Sequence, residues 1–401
     1  MQTALADFIK HTPDGQEADR ILRSCVHCGF CTATCPTYQL LGDERDGPRG
    51  RIYLIKGLLE GQAAGRATQI HLDRCLTCLA CETTCPSGVQ YGHLVDIGRQ
   101  QLEQRVRRPI AERLSRFALG KLIPYPQRFR TLLRMGQLLR PFLPKPLRRF
   151  IPKRSKAAPW PHQAHKRQML LLEGCVQPAL APAINTAAAR ILDRVGITAI
   201  RAEGCCGAIS YHLSAVEEAR VFMRANIDRW WPFIEKGAEA IVSTASGCGT
   251  LIKDYGYLLR HDPHYAEKAH RISALTRDIS EVVEREDLST LISPAPRARR
   301  IAFQAPCSLQ HGQKLGGITE SLLQRLGFEL TPVADSHLCC GSAGVYSLLQ
   351  RSLARPLLQS KIKNLEAGQP DLIATANIGC YSFLQQAASV PVKHWIELLD
   401  P

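Results

Sequence analysis

The sequence predicts an α/β protein in which a helical N-terminal domain precedes two tandem α/β domains with parallel strands. Three observations carry that expectation. The 16 cysteines fall into two sets of eight, Cys25 to Cys85 and Cys175 to Cys380, with 89 cysteine-free residues between them. The second set repeats itself at offsets of 132 and 134 residues. Around that repeat, short apolar runs alternate with helix-period stretches, the order that builds a parallel sheet. A chain of 401 residues has room for two or three such units. The expected boundaries are 1–104, 105–167, 168–290 and 291–401.

In the N-terminal set one pattern occurs twice: Cys25-x2-Cys28-x2-Cys31-x3-Cys35-Pro36, and Cys75-x2-Cys78-x2-Cys81-x3-Cys85-Pro86. Three thiolates at two-residue gaps wrap one face of a 4Fe-4S cube, and the fourth points away to complete a second cube, which is the two-cluster ferredoxin signature. The spacing assigns Cys25, Cys28, Cys31 and Cys85 to one cluster and Cys35, Cys75, Cys78 and Cys81 to the other. Zinc also uses Cys-x2-Cys pairs, but it takes four ligands, usually as two pairs separated by a longer loop. The 39 residues between Cys35 and Cys75 exceed a minimal ferredoxin loop. They include Arg51 to Glu60, whose apolar positions 52, 55, 58 and 59 share one helical face, with Gly61 as the stop. A helical ferredoxin domain is therefore expected. Eight thiols fill eight positions, so His27, His71 and His93 are expected at the surface, exposed or hydrogen-bonded.

The segment Arg105 to Arg167 holds 18 Lys or Arg against one acid, Glu112, and so exceeds the +15 of the whole chain. Its nine prolines, Pro124, Pro126, Pro141, Pro144 and Pro146 among them, break any long helix into short pieces. Phe117, Phe129, Phe142 and Phe150 alternate with Leu and Arg, as short amphipathic basic helices do. Such helices suit an anionic membrane surface or the acidic face of a partner. A passive solvated linker is the plainer reading. Nucleic acid is not expected, because no binding fold surrounds the charge.

In the second set, Cys175, Cys205, Cys206 and Cys248 recur as Cys307, Cys339, Cys340 and Cys380. The surroundings recur too: Gly204-Cys205-Cys206-Gly207 matches Leu338-Cys339-Cys340-Gly341, and Gly247-Cys248 matches Gly379-Cys380. The runs Met169 to Leu172, Ile197 to Ile200, Ala240 to Val242, Ile301 to Phe303 and Leu372 to Ala374 read as buried strands. Ile184 to Val195 reads as a helix stopped by Gly196. Every one of these cysteines follows a strand, at the edge of a parallel sheet where ligands collect. Four thiols per half suit an additional iron–sulfur cluster, zinc, a redox-active dithiol or inert packing, and the spacing alone leaves these open.

Met1 to Ser24 carries Asp7, Asp14, Glu17 and Asp19 and lacks the apolar stretch of a secretion signal, so a cytoplasmic location is expected. No apolar run is long enough to span a membrane. In a reducing compartment clustered cysteines are metal ligands or redox groups rather than disulfides.

From end to end the chain resembles the family of bacterial glycolate oxidase (glycolate dehydrogenase) iron–sulfur subunits. The resemblance is carried by Cys25 to Tyr38, Gly47-Pro48-Arg49-Gly50-Arg51-Ile52-Tyr53-Leu54, Asp335 to Gly344 and His394-Trp395-Ile396-Glu397. It implies that FAD-containing partner subunits oxidise glycolate to glyoxylate and that this subunit takes the electrons through two 4Fe-4S clusters toward the membrane quinone pool, at the cytoplasmic face of the inner membrane. Equivalent subunits of lactate or anaerobic glycerol-3-phosphate dehydrogenases share the motifs. The Cys-Cys-Gly repeat by itself is similar to heterodisulfide reductase subunits, whose last cysteine belongs to a Cys-x2-Cys pair. Here the first place of that pair is Ala245 or Asn377, which argues against a thiol–disulfide reductase. No Gly-x-Gly-x-x-Gly fingerprint is present, so substrate oxidation is expected on another chain.

Overall fold

The computed structural model describes residues 1–144, 148, 151–291 and 300–400. Its N-terminal part is helical for the reasons the sequence supplies. The helix Pro48–Leu59 starts with proline at its first position, where no N–H is needed, and ends at Gly61, whose φ of 87° closes the turn. Ile52, Ile55, Leu58 and Leu59 are all buried, against the helices Pro13–Ser24 and Tyr91–Arg105. Gly98 lets the last of these approach closely, since a Cβ there would stand 2.7 Å from Ile55.

Two four-stranded sheets follow, parallel throughout. β1 (Arg167–Leu172), β2 (Ile197–Ala202), β3 (Ile241–Ser243) and β4 (Thr276–Asp278) lie in the order β2-β1-β3-β4. β5 (Arg300–Gln304), β6 (Glu329–Leu330), β7 (Leu372–Thr375) and β8 (Val392–His394) repeat it as β6-β5-β7-β8. The expected helix at 184–195 forms as Pro182–Arg194.

Strand periodicity decides what each face meets. Met169, Leu171 and Val242 face inward and share one core with Ile301, Phe303, Leu372 and Ala374, so the two sheets bury their inner faces in a single hydrophobic body. Leu170, Leu172 and Ile241 face outward onto the helix Val216–Glu235 through Met223, Ile227 and Trp230. Ala302 and Ile373 face outward onto Arg351–Glu366 through Leu353, Ala354 and Leu357. The C-terminus returns to the first half, where Arg194 donates to Leu399 O (3.1 Å) and Arg190 pairs with Asp400 (3.0 Å).

The basic segment forms the helices Ile110–Leu122 and Pro126–Leu139, which start just after Pro109 and at Pro126, and a turn at Arg140–Phe142 with Pro141 as its second residue. Ile110, Phe117, Leu138 and Phe142 are 74%, 65%, 76% and 86% exposed. Phe129 is half-buried and lines a large cavity. Pro146 and Phe150 lie outside the described residues. Part of the positive charge is matched internally, because Arg108 and Arg116 both pair with Asp73.

Candidate functional site

The two N-terminal cysteine runs wrap in the same way. His27 and Gly29 have φ of 57° and 87°, and their counterparts Thr77 and Leu79 have 51° and 62°. Left-handed residues on both sides of Cys28 and Cys78 turn the backbone sharply, and three of the four are not glycine. Strain of this kind persists where surrounding structure enforces it. The loops bring Cys25, Cys28, Cys31 and Cys85 to one small cavity, at whose rim Cys81 also stands. Cys35, Cys75, Cys78 and Cys81 line another. Four converging sulfur donors at each cavity are the donor chemistry an iron–sulfur group requires, so the residues present fit it.

The two cavities differ in their surroundings. At the first, Cys28 is exposed. Burial and the neighbouring Cys25 push the Cys31 thiol up to about 11. At the second, burial pushes Cys78 and Cys81 well up. Burial acts on Cys75 too, but Arg51, Arg99, the Thr77 N–H and the Tyr91 hydroxyl outweigh it and hold that thiol below its ordinary range. The contacts are direct: Thr77 N and Tyr91 OH donate to Cys75 Sγ at 3.4 and 3.6 Å, and Arg99 donates to Cys75 O at 2.7 Å.

Arg51 is 1% exposed. It donates to His71 O (2.8 Å) and Thr37 Oγ1 (3.1 Å) and faces Asp46 at 3.5 Å. His71 is buried and bonded to Asp46 (3.0 Å), which corrects the expectation of a surface histidine. His93 is also largely enclosed: it pairs with Asp254 (3.1 Å) and stacks on Tyr257 at 3.7 Å. The burial of Arg51 has a signal in the sequence, since position 51 extends the apolar stripe at 55 and 58 by one turn.

In the duplicated part each half gathers its own four cysteines beyond the carboxyl ends of its strands. Cys307 and Cys339 Sγ lie 3.8 Å apart, and Cys340 and Cys380 Sγ lie 3.4 Å apart. In the first half Cys205 touches Cys175 and Cys206, and Cys206 touches Cys248. Gly207 and Gly341 have φ of 91° and 88° and donate their N–H to Cys205 and Cys339 Sγ, both at 3.4 Å. A Cβ at Gly341 would come within 2.8 Å of Ala354 O, so the turn behind the vicinal pair needs glycine for space as well as for conformation. Asn377 stands where a further cysteine would be: its Nδ2 points at Cys380 Sγ (3.7 Å), and its Oδ1 accepts from Gly247 N of the other half (3.3 Å).

Both quartets open on one cavity of about 1130 Å³, which Cys75, Cys78, His93, Asp96 and Phe129 also line. Burial pushes Asp96 up to about 7. The second half lies directly against the second N-terminal site. Cys307 stands near enough to Cys78 to raise it, and Leu76 joins the core that holds Cys339, Cys340 and Cys380. Tyr346 OH donates to Arg74 O at 3.0 Å across this contact.

Residues 21–89 match the 4Fe-4S dicluster domain, and residues 169–253 and 301–385 each match the cysteine-rich domain. Over its full length the chain is 54% identical to the glycolate oxidase iron-sulfur subunit of Escherichia coli K12, covering 98% of that protein. It is 29% identical to the probable glycolate oxidase iron-sulfur subunit of Bacillus subtilis, over 90% of this chain and 87% of the other. Lactate utilization protein A of Bacillus licheniformis is 26% identical over 56% of this chain and 96% of its own length.

Proposed function

This chain belongs to the family of glycolate oxidase iron–sulfur subunits, and from that premise we propose that it is the electron-transfer subunit of a complex oxidising glycolate to glyoxylate. Electrons come from FAD-containing partner subunits and leave toward membrane quinone. One observation carries the reading: the N-terminal sulfur sites and the duplicated quartets are not separate, since Cys78 stands beside Cys307 and Cys339 inside the protein. In this reading Cys25, Cys28, Cys31 and Cys85 hold one 4Fe-4S cluster, and Cys35, Cys75, Cys78 and Cys81 hold the second. The clusters, when bound, supply one-electron storage. The chain's own residues fix the sulfur positions, exclude water from the second site through Leu76 and Tyr91, and set the local field. The quartets Cys175, Cys205, Cys206, Cys248 and Cys307, Cys339, Cys340, Cys380 hold a further iron–sulfur group or zinc. The chain divides at 104, 167 and 290, with the last two units sharing one core.

The test is iron and acid-labile sulfide per chain in anaerobically purified protein, followed by spectra of Cys25→Ser, Cys75→Ser and Cys205→Ser. Loss of one signal in each of the first two variants is expected. Unchanged signals would remove the ligand assignment. Dye reduction by glycolate, lactate and glycerol 3-phosphate with co-expressed flavoprotein decides the substrate. Glycolate inactivity with a competent flavin partner overturns the reading.

We further propose that the helices Ile110–Leu122 and Pro126–Leu139 seat the subunit on an anionic membrane surface at the cytoplasmic face. The exposed Phe117 and Leu138 of these helices, and Phe142 of the turn that follows, alternate with arginines in a segment of net charge +17, a combination that complements acidic lipid headgroups. No helix among the described residues is long and apolar enough to cross a membrane. Binding to anionic vesicles at low salt, released at high salt and weakened about tenfold by Leu138→Ser with Phe142→Ser, is the expected outcome. No binding at low salt excludes this seat.

A further inference from the structure

We propose that the buried guanidinium of Arg51, with Arg99 beside it, is the counter-charge that sets the reduction potential of the second four-cysteine site, and with it the electron step into the second cysteine-rich half. The inference rests on the ligand assignment above. An iron–sulfur cube on four thiolates is a dianion that takes on a third charge when reduced, so the fixed charges and solvent around it decide how readily it accepts an electron. Cys35, Cys75 and Cys81 are all buried, which withholds water from the added charge. Something else must stabilise it.

The structure supplies two cations that water does not screen. Arg51 is held by His71 O, Thr37 Oγ1 and Asp46, and Thr37 Oγ1 in turn lies 3.3 Å from Cys35 Sγ. Asp46 does not cancel Arg51, because the same carboxylate also takes Arg74 (2.9 Å) and His71 (3.0 Å). Arg99 spends its donors on the loop itself, at Leu72 O (2.9 Å), Cys75 O (2.7 Å) and Thr77 Oγ1 (2.9 Å), with Asp96 at 3.9 Å. The first site is balanced differently. The charges facing it are the N-terminal ammonium, which donates to Cys25 O at 3.0 Å, and Arg49, half in water and paired with Glu44 at 2.6 Å. Exposed Cys28 admits solvent there directly. The site that borders Cys307 and Cys339 is thus the one whose potential the protein sets with buried charge.

The experiment is a potentiometric titration of the anaerobically purified full chain followed by electron paramagnetic resonance. Cys25→Ser serves as the reference that isolates the second site. In Arg51→Gln the reduced-to-oxidised ratio of the second site at a fixed potential falls about tenfold, about 59 mV for a one-electron couple, while the first site moves less than about threefold. Arg99→Gln shifts the same signal in the same direction, and Arg51→Lys, which keeps the charge but not the fork, restores most of the ratio. An unmoved second site, equal shifts at both sites, or identical behaviour of Arg51→Gln and Arg51→Lys would overturn the proposal. So would loss of iron from the second site in the neutral variants, which would make the role structural. Failure of the ligand assignment is seen separately, in a parent chain whose Cys25→Ser and Cys75→Ser variants do not each lose one signal.

Discussion

The two cysteine-rich halves have the same strand order, the same quartet and the same glycine behind the vicinal pair, yet they face different neighbours. The second half lies on the second N-terminal site through Cys307, Leu76 and the Tyr346 to Arg74 bond. The first half meets the N-terminal domain through polar contacts, His93 with Asp254 and Tyr257 with Glu17, and meets the basic segment where Lys121 and Tyr125 both reach Glu218 at 2.7 Å. Where the first half has His212 behind its cysteine pair, the second has Tyr346 at the matching offset. Duplication fixed the internal geometry of each half, and docking gave the halves different neighbours: the second packs directly on the second N-terminal sulfur site, whereas the first meets that domain through His93 and Glu17.

The sharpest way to break this comparison is to remove one thiol from each half. In the assembled complex, Cys307→Ser is expected to slow glycolate-driven acceptor reduction at least about tenfold more than Cys175→Ser, read as kcat with the flavin partner in excess. Equal losses would mean that the second half's position carries no functional weight.

A smaller effect, in stability, separates the halves by pH. After its last strand each half closes a capping box, Asp278 with Glu281 in the first and His394 with Glu397 in the second. Burial holds His394 at about 4, although its ring N–H donates to Thr244 O (2.8 Å). Burial raises Asp278 to about 6, and its Oδ2 has no hydrogen-bond partner among the described residues. An unfolded histidine titrates near ~6.5, so below that the unfolded chain binds a proton that folded His394 refuses, and this group makes stability rise with pH. An unfolded aspartate titrates near ~3.9, so above that the folded chain keeps a proton that the unfolded chain releases, and Asp278 makes stability fall with pH over much of the same window. Each contributes about 3 kcal/mol, of opposite sign. Urea unfolding under anaerobic conditions is therefore expected to show, relative to the parent chain, stability that falls with pH in His394→Gln and rises with pH in Asp278→Asn. Changes of the same sign in the two variants, each measured against the parent, would refute the opposition.

The smallest expected effect concerns the arginines that open the first strand of each half. Arg167 pairs with both Glu239 (2.9 Å) and Glu286 (2.8 Å), whereas Arg300 reaches Glu329 at 3.5 Å. These pairs are partly exposed, so Arg167→Ala should cost no more than about 1 kcal/mol and Arg300→Ala less, measured as the shift in urea midpoint. A larger loss at Arg300 would show that the halves share their load differently.

Much of this was legible in the chain because local chemistry suffices for it. Three cysteines at two-residue gaps, repeated at 25–31 and 75–81, place their thiols on one short turn of backbone. Apolar runs at 169–172 and 372–374 become strands because both faces are covered. The helix at 48–59 follows from its stripe and its glycine stop. The burial of His71 is not legible there, because a histidine beside a motif has no local signature of burial. It is enclosed by residues distant in sequence, Asp46 among them.

The chemistry available is written in the order of residues: eight thiols in two repeated runs, a duplicated quartet, and a separate basic segment. How these connect came only with folding. It joined two sheets through one core, set Cys78 beside Cys307 across 229 positions of chain, and enclosed Arg51 against a sulfur site instead of leaving it in water. The reason is physical. Spacing constrains what a few neighbouring residues can bind, whereas proximity between distant residues and the strength of a buried charge depend on which surfaces pack together and exclude solvent.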